Sequence, residues 1–410
     1  MGARALRGIH ASGFALDRPL TGLADLPPSF RDLLIDARFR AAQRVFGTAI
    51  ARGADLVLLA GGILSPASGP GSRGPWFLLE QFRRLAEHGI DVIWAEESHD
   101  VQTWIRSVAP LPANVTLLSG EATAVIAAGR SQERVALHCR SAGSGIPADK
   151  GTAAWHLVLA PSMTVDSGLT RWADYVALAG PIRTLLSESA IASGAPQGTG
   201  FAEPGAHGCL SFELAPGGIP KTEFIATDVI RWIDETHSVS ADSTYDSLRS
   251  ELAHRLREFP AGHSCDGWVV RWRLDLSAAA SLDLARHDRH QQLLADLRRE
   301  ALESNLTAWP AAVGLSQTAP VASRRPAALQ SVEHAVWTAF EATSPVCRGA
   351  VGGNQPDPAI DLADLLGDEV RSVPAAMRLV PADGSRHDLD SLLCAQAART
   401  LAAHSLTALR

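Results

Sequence analysis

The chain has 410 residues, 46% hydrophobic and 20% charged, a balance that supports a folded core and excludes a wholly disordered polymer. A formal net charge of −7 supplies no global basic field for nucleic acid, although it is compatible with a local patch. No run approaches the roughly 18 apolar residues of a membrane span, and the N-terminus lacks a basic-then-apolar leader, so a cytoplasmic protein with no membrane role is expected.

The first β-prone run, "RALRG", gives way to "IHASGFALD" at positions 9–17. Strand ends are where α/β enzymes place ligands and nucleophiles. Yet Gly13, Phe14 and Ala15 can neither hold a cation nor move a proton. "PPSFRDLLIDARFRAAQRVFGTAIARG" predicts a helix with Phe30, Leu33, Leu34, Ala37 and Ala41 on one stripe. "ADLVLLAGG" is a continuous apolar strand of the kind buried on both faces. "GPWFLLEQFRRLAEHG" predicts a second helix closed by Gly89, and "IDVIWAEES" a third strand. Shorter strand candidates follow: "NVTLL", "TAVIAAG", "RVALHC", "WHLVLAP", "DYVALAG", "GCLSFEL" and "TEFIAT". Helix–strand alternation followed by strand-dense sequence predicts an α/β fold of two packed sheets with helices outside.

A second unit is expected from residue 238, with "TYDSLRSELAHRLREF" a helix, "DGWVVRWRLDLS" a strand and "DRHQQLLADLRREALES" another helix. The Ser/Pro/Ala-rich "VGLSQTAPVASRRPAA" reads as a linker, beyond which helix-like segments are split by "RGAVGGNQPDPA". The expected boundaries are 1–237, 238–311, a linker at 312–328 and a helical C-terminal region at 329–410. There is no fixed-period repeat. The five cysteines, Cys139, Cys209, Cys265, Cys347 and Cys394, form no C-x-x-C pair, which argues against a zinc site or disulfide framework.

The order strand, loop, long helix, strand, "AGG", helix, strand, "ESHD" resembles calcineurin-like metallophosphoesterases, and more closely the SbcD/YhaO-type DNA repair exonuclease branch. There the first strand ends in H-A-(A/S)-D-x-H-L-D, then a P-x-x-G-L stretch and a helix rich in Arg and Phe. This chain prints "HASGFALDRPLTGLADLPPSFRDLLIDARFRAAQRV", and the likeness extends over about residues 5–235. The resemblance implies a four-layer α-β-β-α sandwich, a smaller α/β capping domain, and a two-metal Mn or Mg site that activates water and clamps phosphate oxygens.

Position by position, the implied ligand set is emptied. The D-x-H pair falls on Gly13 and Ala15, and the Asp of "AGD" on Gly62. The amide of "GNHD" is replaced by Ser98. In "WHLVLAPSM" and "DYVALAGPIR", Pro161, Pro181 and Arg183 stand where the resemblance places His ligands. Gly, Ala and Pro carry no ligating side chain, and a permanent cation at Arg183 repels a metal. Only His99 and Asp100 survive, as a phosphate-assisting His and its orienting Asp, or simply as local hydrogen-bonding groups at a strand end. "SGAPQGTGF" keeps the frame of the family's "PGNPQGRSF" stretch.

Other groups weigh less. His287 and His290 with Asp288 have helical spacing for a metal, but read better as a solvated charged face. "GHSC" at 262–265 is weaker, and "GGNQPDP" at 352–358 lacks the G-K-[ST] ending of a phosphate loop. Trp104, Trp172 and Trp232 suit packing better than stacking on bases. No cofactor is therefore expected. The resemblance implies a catalytically inactive subunit that scaffolds or regulates a DNA-processing assembly with a coiled-coil SbcC/YhaN-like ATPase, with DNA contact and a homodimer as further possibilities. The alternatives are an active metal-dependent phosphoesterase with an atypical site, or a protein-interaction module without DNA contact.

Overall fold

Apolar runs at the start of the chain become neighbouring strands because each alternates its side chains between two buried faces. In the computed structural model the described residues are 4–315, apart from 19, 21–22, 24–25, 66–70, 142–143, 147–149, 163–165, 241, 261–264 and 276–286. The chain runs β1 (Leu6–Ala11), α1 (Pro28–Ala51), β2 (Leu56–Leu59), α2 (Arg73–Glu87), β3 (Asp91–Ala95), α3 (His99–Val108) and β4 (Val115–Leu118). A strand-rich stretch follows: β5 (Thr123–Ala128), β6 (Glu133–Cys139), β7 (Trp155–Ala160), α4 (Ser167–Trp172), β8 (Tyr175–Leu178), β9 (Thr184–Leu185), β10 (Ala190–Ala192), β11 (Gly208–Leu214) and β12 (Lys221–Ala226). The last described elements are β13 (Ile230–Ser238), α5 (Tyr245–Glu258), β14 (Gly267–Asp275), α6 (His287–Glu303) and β15 (Ala308–Leu315).

The first sheet has the order β12-β11-β1-β2-β3-β4, and the second β5-β6-β7-β8-β10-β9. In the first, β1 to β4 are parallel and β11 joins β1 antiparallel. In the second, β6, β7, β8 and β10 are parallel. Leu58, Ile93 and Phe212 of the first sheet share one core with Leu157 and Tyr175 of the second, so the two sheets pack face to face. The opposite face of the first sheet (Val57, Leu59, Trp94) packs on Phe46, Phe82 and Ile105 of α1, α2 and α3. On the outer face of the second sheet, Val158 and Val176 pack against Leu169 of the short helix α4. The molecule is thus mixed α/β with several parallel and mixed sheets.

The third sheet, β13-β14-β15, is parallel throughout. One face takes α5 and α6 through Leu252, Leu297 and Trp272. The other face, with Trp232 and Val269, packs on Phe30, Leu34, Ala37 and Ala41 of α1. The predicted stripe of α1 therefore faces the third sheet, while Phe39, Val45 and Phe46 face the first. Polar ties reinforce this seam. Asp266 accepts from Arg44 at 2.6 Å and also pairs with Arg40, and the fully buried Asp228 holds Arg231 bidentately at 2.7 and 2.8 Å.

Two strands extend across the expected boundaries. A cap starting at 238 would omit β13, which pairs in parallel with β14 from Ile230 to Ser238. A linker starting at 312 would cut β15, whose ladder with β14 reaches Leu315. The end of that strand runs directly into the Ser/Pro-rich sequence from Ser316, which masks where it stops. Residues 1–318 form one compact unit. The rest of the expected linker, the region 329–410, Cys347, Cys394 and the 352–358 turn lie outside the described residues.

Candidate functional site

Backbone hydrogen bonds tie the β1 end to the β2 end. Gly13 donates to the Gly61 carbonyl at 2.9 Å, Ala15 to that of Gly62 at 2.8 Å and Leu16 to that of Ile63 at 3.0 Å. Gly13 (φ +66°), Ala15 (φ +44°) and Gly62 (φ +64°) all occupy left-handed backbone, which Gly tolerates and Ala adopts rarely. The loop stays in place because Phe14 is buried edge-on against Phe46, at 5.7 Å between ring centroids. In addition, Arg38 Nη1 donates to the Phe14 carbonyl at 3.0 Å.

Strand ends of the second sheet meet the same spot. A side-chain carbon on Gly13 would lie 3.5 Å from Ala195 Cβ and 3.8 Å from the Gly180 carbonyl. One on Gly61 would lie 3.1 Å from Pro161 Cβ, and one on Gly62 3.4 Å from Gly13 Cα. Ala195 donates to the Pro181 carbonyl at 3.1 Å, and Ser12 and Ser193 share a hydroxyl hydrogen bond of 3.0 Å. Gly13, Gly62, Pro161 and Pro181 therefore converge, although they come from four different strand ends. The Arg183 guanidinium stacks over the Phe224 ring at 4.6 Å.

Ser98, His99 and Asp100 stand where β3 passes into α3. Ser98 caps the helix by accepting from the Val101 N–H at 3.4 Å, and its own N–H donates to Glu96 Oε1 at 3.0 Å. His99 and Asp100 are exposed in the first turn, where Asp100 complements the helix dipole. Glu96 is buried, and desolvation raises its pKa against the opposing hydrogen bond from the Ser98 N–H. Glu97 accepts from the Ser141 hydroxyl at 2.8 Å. Cys139, Cys209 and Cys265 are buried, and burial pushes their thiols up to about 11, 12 and 11, so none of them is a thiolate nucleophile.

Two divalent cations do not fit the donors gathered here. Among the described residues no group of three or more His, Cys, Asp or Glu side chains is placed to hold a metal ion. The convergence offers backbone amides, carbonyls and two serine hydroxyls, with acids confined to the β3–α3 turn. Such a surface can bind; His99 and the acids of that turn are what it has for moving a proton.

The comparisons agree with part of the sequence reading. Over 92 residues the chain is 32% identical to the uncharacterized metallophosphoesterase YhaO of Bacillus subtilis (strain 168). This chain is similar to a metallophosphoesterase. The match covers 22% of the chain and 22% of that relative, so it supports the superfamily and leaves activity and partners as matters for proposal. No family model matches.

Several residues that matter structurally were passed over in the sequence. His10 is fully buried between the sheets: its Nε2–H donates to the Leu178 carbonyl at 3.2 Å, so the neutral ring accepts at Nδ1 from the Tyr175 hydroxyl at 3.0 Å. Burial lowers its pKa to about 3. Gln197, inside the retained "APQG", accepts from the Val229 and Ile230 N–H groups at 2.8 and 3.2 Å and donates to the Ile230 carbonyl at 2.6 Å. It thereby fixes where β13 begins. His138 and His156 stack at 5.8 Å beneath the edge of Trp172, and burial, then Arg140 and His156, lowers His138 to about 4. A polar residue inside an apolar strand was the available signal for His10, His138 and His156.

The remaining expectations divide. Trp232 is 1% exposed and donates to the Gly198 carbonyl at 3.0 Å, which removes it as a stacking platform. Trp104 packs partly buried against the first core, and Trp172 covers the two histidines. His290 is buried rather than on a solvated face, whereas Asp288 is exposed. Of "GHSC", Cys265 is described and buried; the side chain of His287 lies outside the described residues.

Proposed function

We propose that this chain is a metallophosphoesterase-like subunit of the SbcD/YhaO type that has lost its two-metal centre and acts by binding. On this reading the sheets, with the helices on their outer faces, are the family's four-layer sandwich and the third sheet with α5 and α6 is its cap. The observation that carries the proposal is the meeting of Gly13, Gly62, Pro161 and Pro181 at one place without a ligating side chain. The family's in-line hydrolysis relies on two metals and their bridging ligands, so on this reading the site holds a nucleic acid or partner rather than cutting it. The role that follows is a scaffold or regulator in a DNA-processing assembly, with a coiled-coil SbcC/YhaN-like ATPase as partner, without a membrane role and as a possible homodimer. The test is Mn²⁺ calorimetry beside cleavage of single- and double-stranded DNA. Neither stoichiometric Mn²⁺ binding nor turnover is expected; micromolar binding or turnover that His99→Ala abolishes would overturn the reading.

One observation favours the runner-up, an active phosphoesterase with an atypical site. The buried Glu96 carboxylate, whose Oε2 lacks a hydrogen-bond partner among the described residues, sits two residues before Ser98 and three before His99. If it anchors an unusual metal, Mn²⁺-dependent cleavage appears in the native protein and disappears in Glu96→Gln. A protein-interaction module without DNA contact predicts no binding of single- or double-stranded DNA when that binding is titrated directly.

A further inference from the structure

A cavity of about 530 Å³ opens between α1, Arg73 at the start of α2, and Asp17, Arg18, Leu20, Leu23 and Leu26 ahead of α1. Its walls combine Leu26, Leu34 and Phe39 with Arg18, Arg31, Arg38 and Arg73, against one lining carboxylate among the described residues, Asp17. That carboxylate is engaged elsewhere, accepting from the Gly74 N–H at 2.8 Å. Arg73 is likewise committed, to Asp36 at 2.5 Å and over the Phe39 ring at 4.1 Å.

Arg38 differs from the others in being 6% exposed. Nη1 donates to the Phe14 carbonyl, but Nε is buried and has no hydrogen-bond partner among the described residues. A guanidinium taken out of water without a full set of acceptors is unfavourable, and an anion brought to it recovers that cost. Burial, with Arg18 adding repulsion and Glu203 opposing it, lowers the Arg38 pKa to about 10, which leaves the group charged at neutral pH. Arg18 and Arg31 are exposed, so positive charge also surrounds the approach to Arg38.

We propose that this cavity is a binding site for a small anionic amphiphile, whose single carboxylate or phosphate head pairs with Arg38 and whose aliphatic body lies on Leu26, Leu34 and Phe39. The volume is that of a small-molecule site, about 300–1,000 Å³. A nucleic-acid backbone suits it less: its charges are evenly spaced and fully hydrated, whereas the deepest cation here is nearly closed off and flanked by leucine. The cavity adjoins the loop that carries Gly13, through the bond from Arg38 to the Phe14 carbonyl, but its occupation does not depend on whether phosphoesterase chemistry survives.

Calorimetry on the full chain with decanoate, decyl phosphate, decanol and inorganic phosphate tests this. One or both of the first two should bind one to one, with decanol and inorganic phosphate each at least about tenfold weaker, since each lacks one half of the recognition. The stronger of decanoate and decyl phosphate identifies the head group. Arg38→Gln should weaken binding by about tenfold or more, as expected for loss of a charge-assisted pair. Because that variant also gives up its contact with Phe14, the exposed pair Arg18→Glu with Arg31→Glu provides the second reading, with an expected loss of several-fold that shrinks at high salt. Equal binding of decanol, no saturable binding by either amphiphile, unchanged affinity in the rim variant, or displacement of decyl phosphate by a short oligothymidylate would each overturn the proposal.

Discussion

His10 shows how one buried side chain couples the two sheets to pH. In the folded protein its pKa is lowered from 6.5 to about 3, so between these values the unfolded chain binds the proton and the native state does not. Stability is therefore full above pH 6.5 and lost as pH falls toward 3, at about 1.4 kcal/mol per pH unit for each such group. His138, lowered to about 4, acts in the same direction. Urea unfolding at several pH values should show this loss, and His10→Gln should flatten the slope; an unchanged slope would show that the ring is not the titrating group. A second prediction concerns Asp17, whose carboxylate accepts the Gly74 N–H in the first turn of α2. Asp17→Ala should cost about 1 kcal/mol, the usual value of a lost N-terminal cap. A side-chain carbon on Gly74 would fall 2.3 Å from Asp17 Oδ2 and 2.6 Å from Leu64 Cδ2. Gly74→Ala should then cost on the order of 1–3 kcal/mol by overpacking, and less in the Asp17→Ala background, a coupling that a double-mutant cycle measures.

Elements here are joined less by their own propensities than by single polar residues at their ends. Gln197 satisfies three backbone groups at the start of β13, so Gln197→Ala leaves them buried without partners. The expected cost is about 2 kcal/mol or more, with faster hydrogen exchange at Val229 and Ile230 while β1 and β2 remain protected. The β1–β2 loop pair answers whether the family ligands can be put back. Gly13→Asp, Ala15→His and Gly62→Asp together should lower Tm and yield no Mn²⁺-dependent DNA cleavage. All three positions have positive φ, where residues other than Gly are strained, and Pro161 and Pro181 still contribute no ligand. Turnover in that triple variant would mean that neighbouring strand ends supply the missing donors.

At the scale of the whole molecule, α1 is the shared spine. One side of it belongs to the first sheet's core and the other to the third sheet's, with Arg40 and Arg44 closing the seam on Asp266. The two cores should therefore unfold together, and a chain ending at Thr318 should keep the Tm of the full protein, because residues 1–318 form one compact unit. On the proposed reading the same truncation abolishes co-purification with a coiled-coil ATPase. Retained association would place that interface within residues 1–318.

Most of the strands and helices were legible in the sequence, because "ADLVLLAGG" or "TYDSLRSELAHRLREF" carries its own period and its own punctuation. The sequence also shows that Gly13, Gly62 and Pro161 bring no ligating side chain, whatever surrounds them. Tertiary structure decided the rest. β13 and the end of β15 exist as strands because β14 lies between them, a pairing no local pattern announces. Short elements such as α4, β9 and β10 likewise depend on their neighbours. That Gly13, Gly62, Pro161 and Pro181 meet, that His10 bridges two sheets and that Arg38 is buried beside a cavity are relations between distant segments. A sequence specifies which groups are available; only the packing of the sheets and α1 sets which of them lose water and share a site.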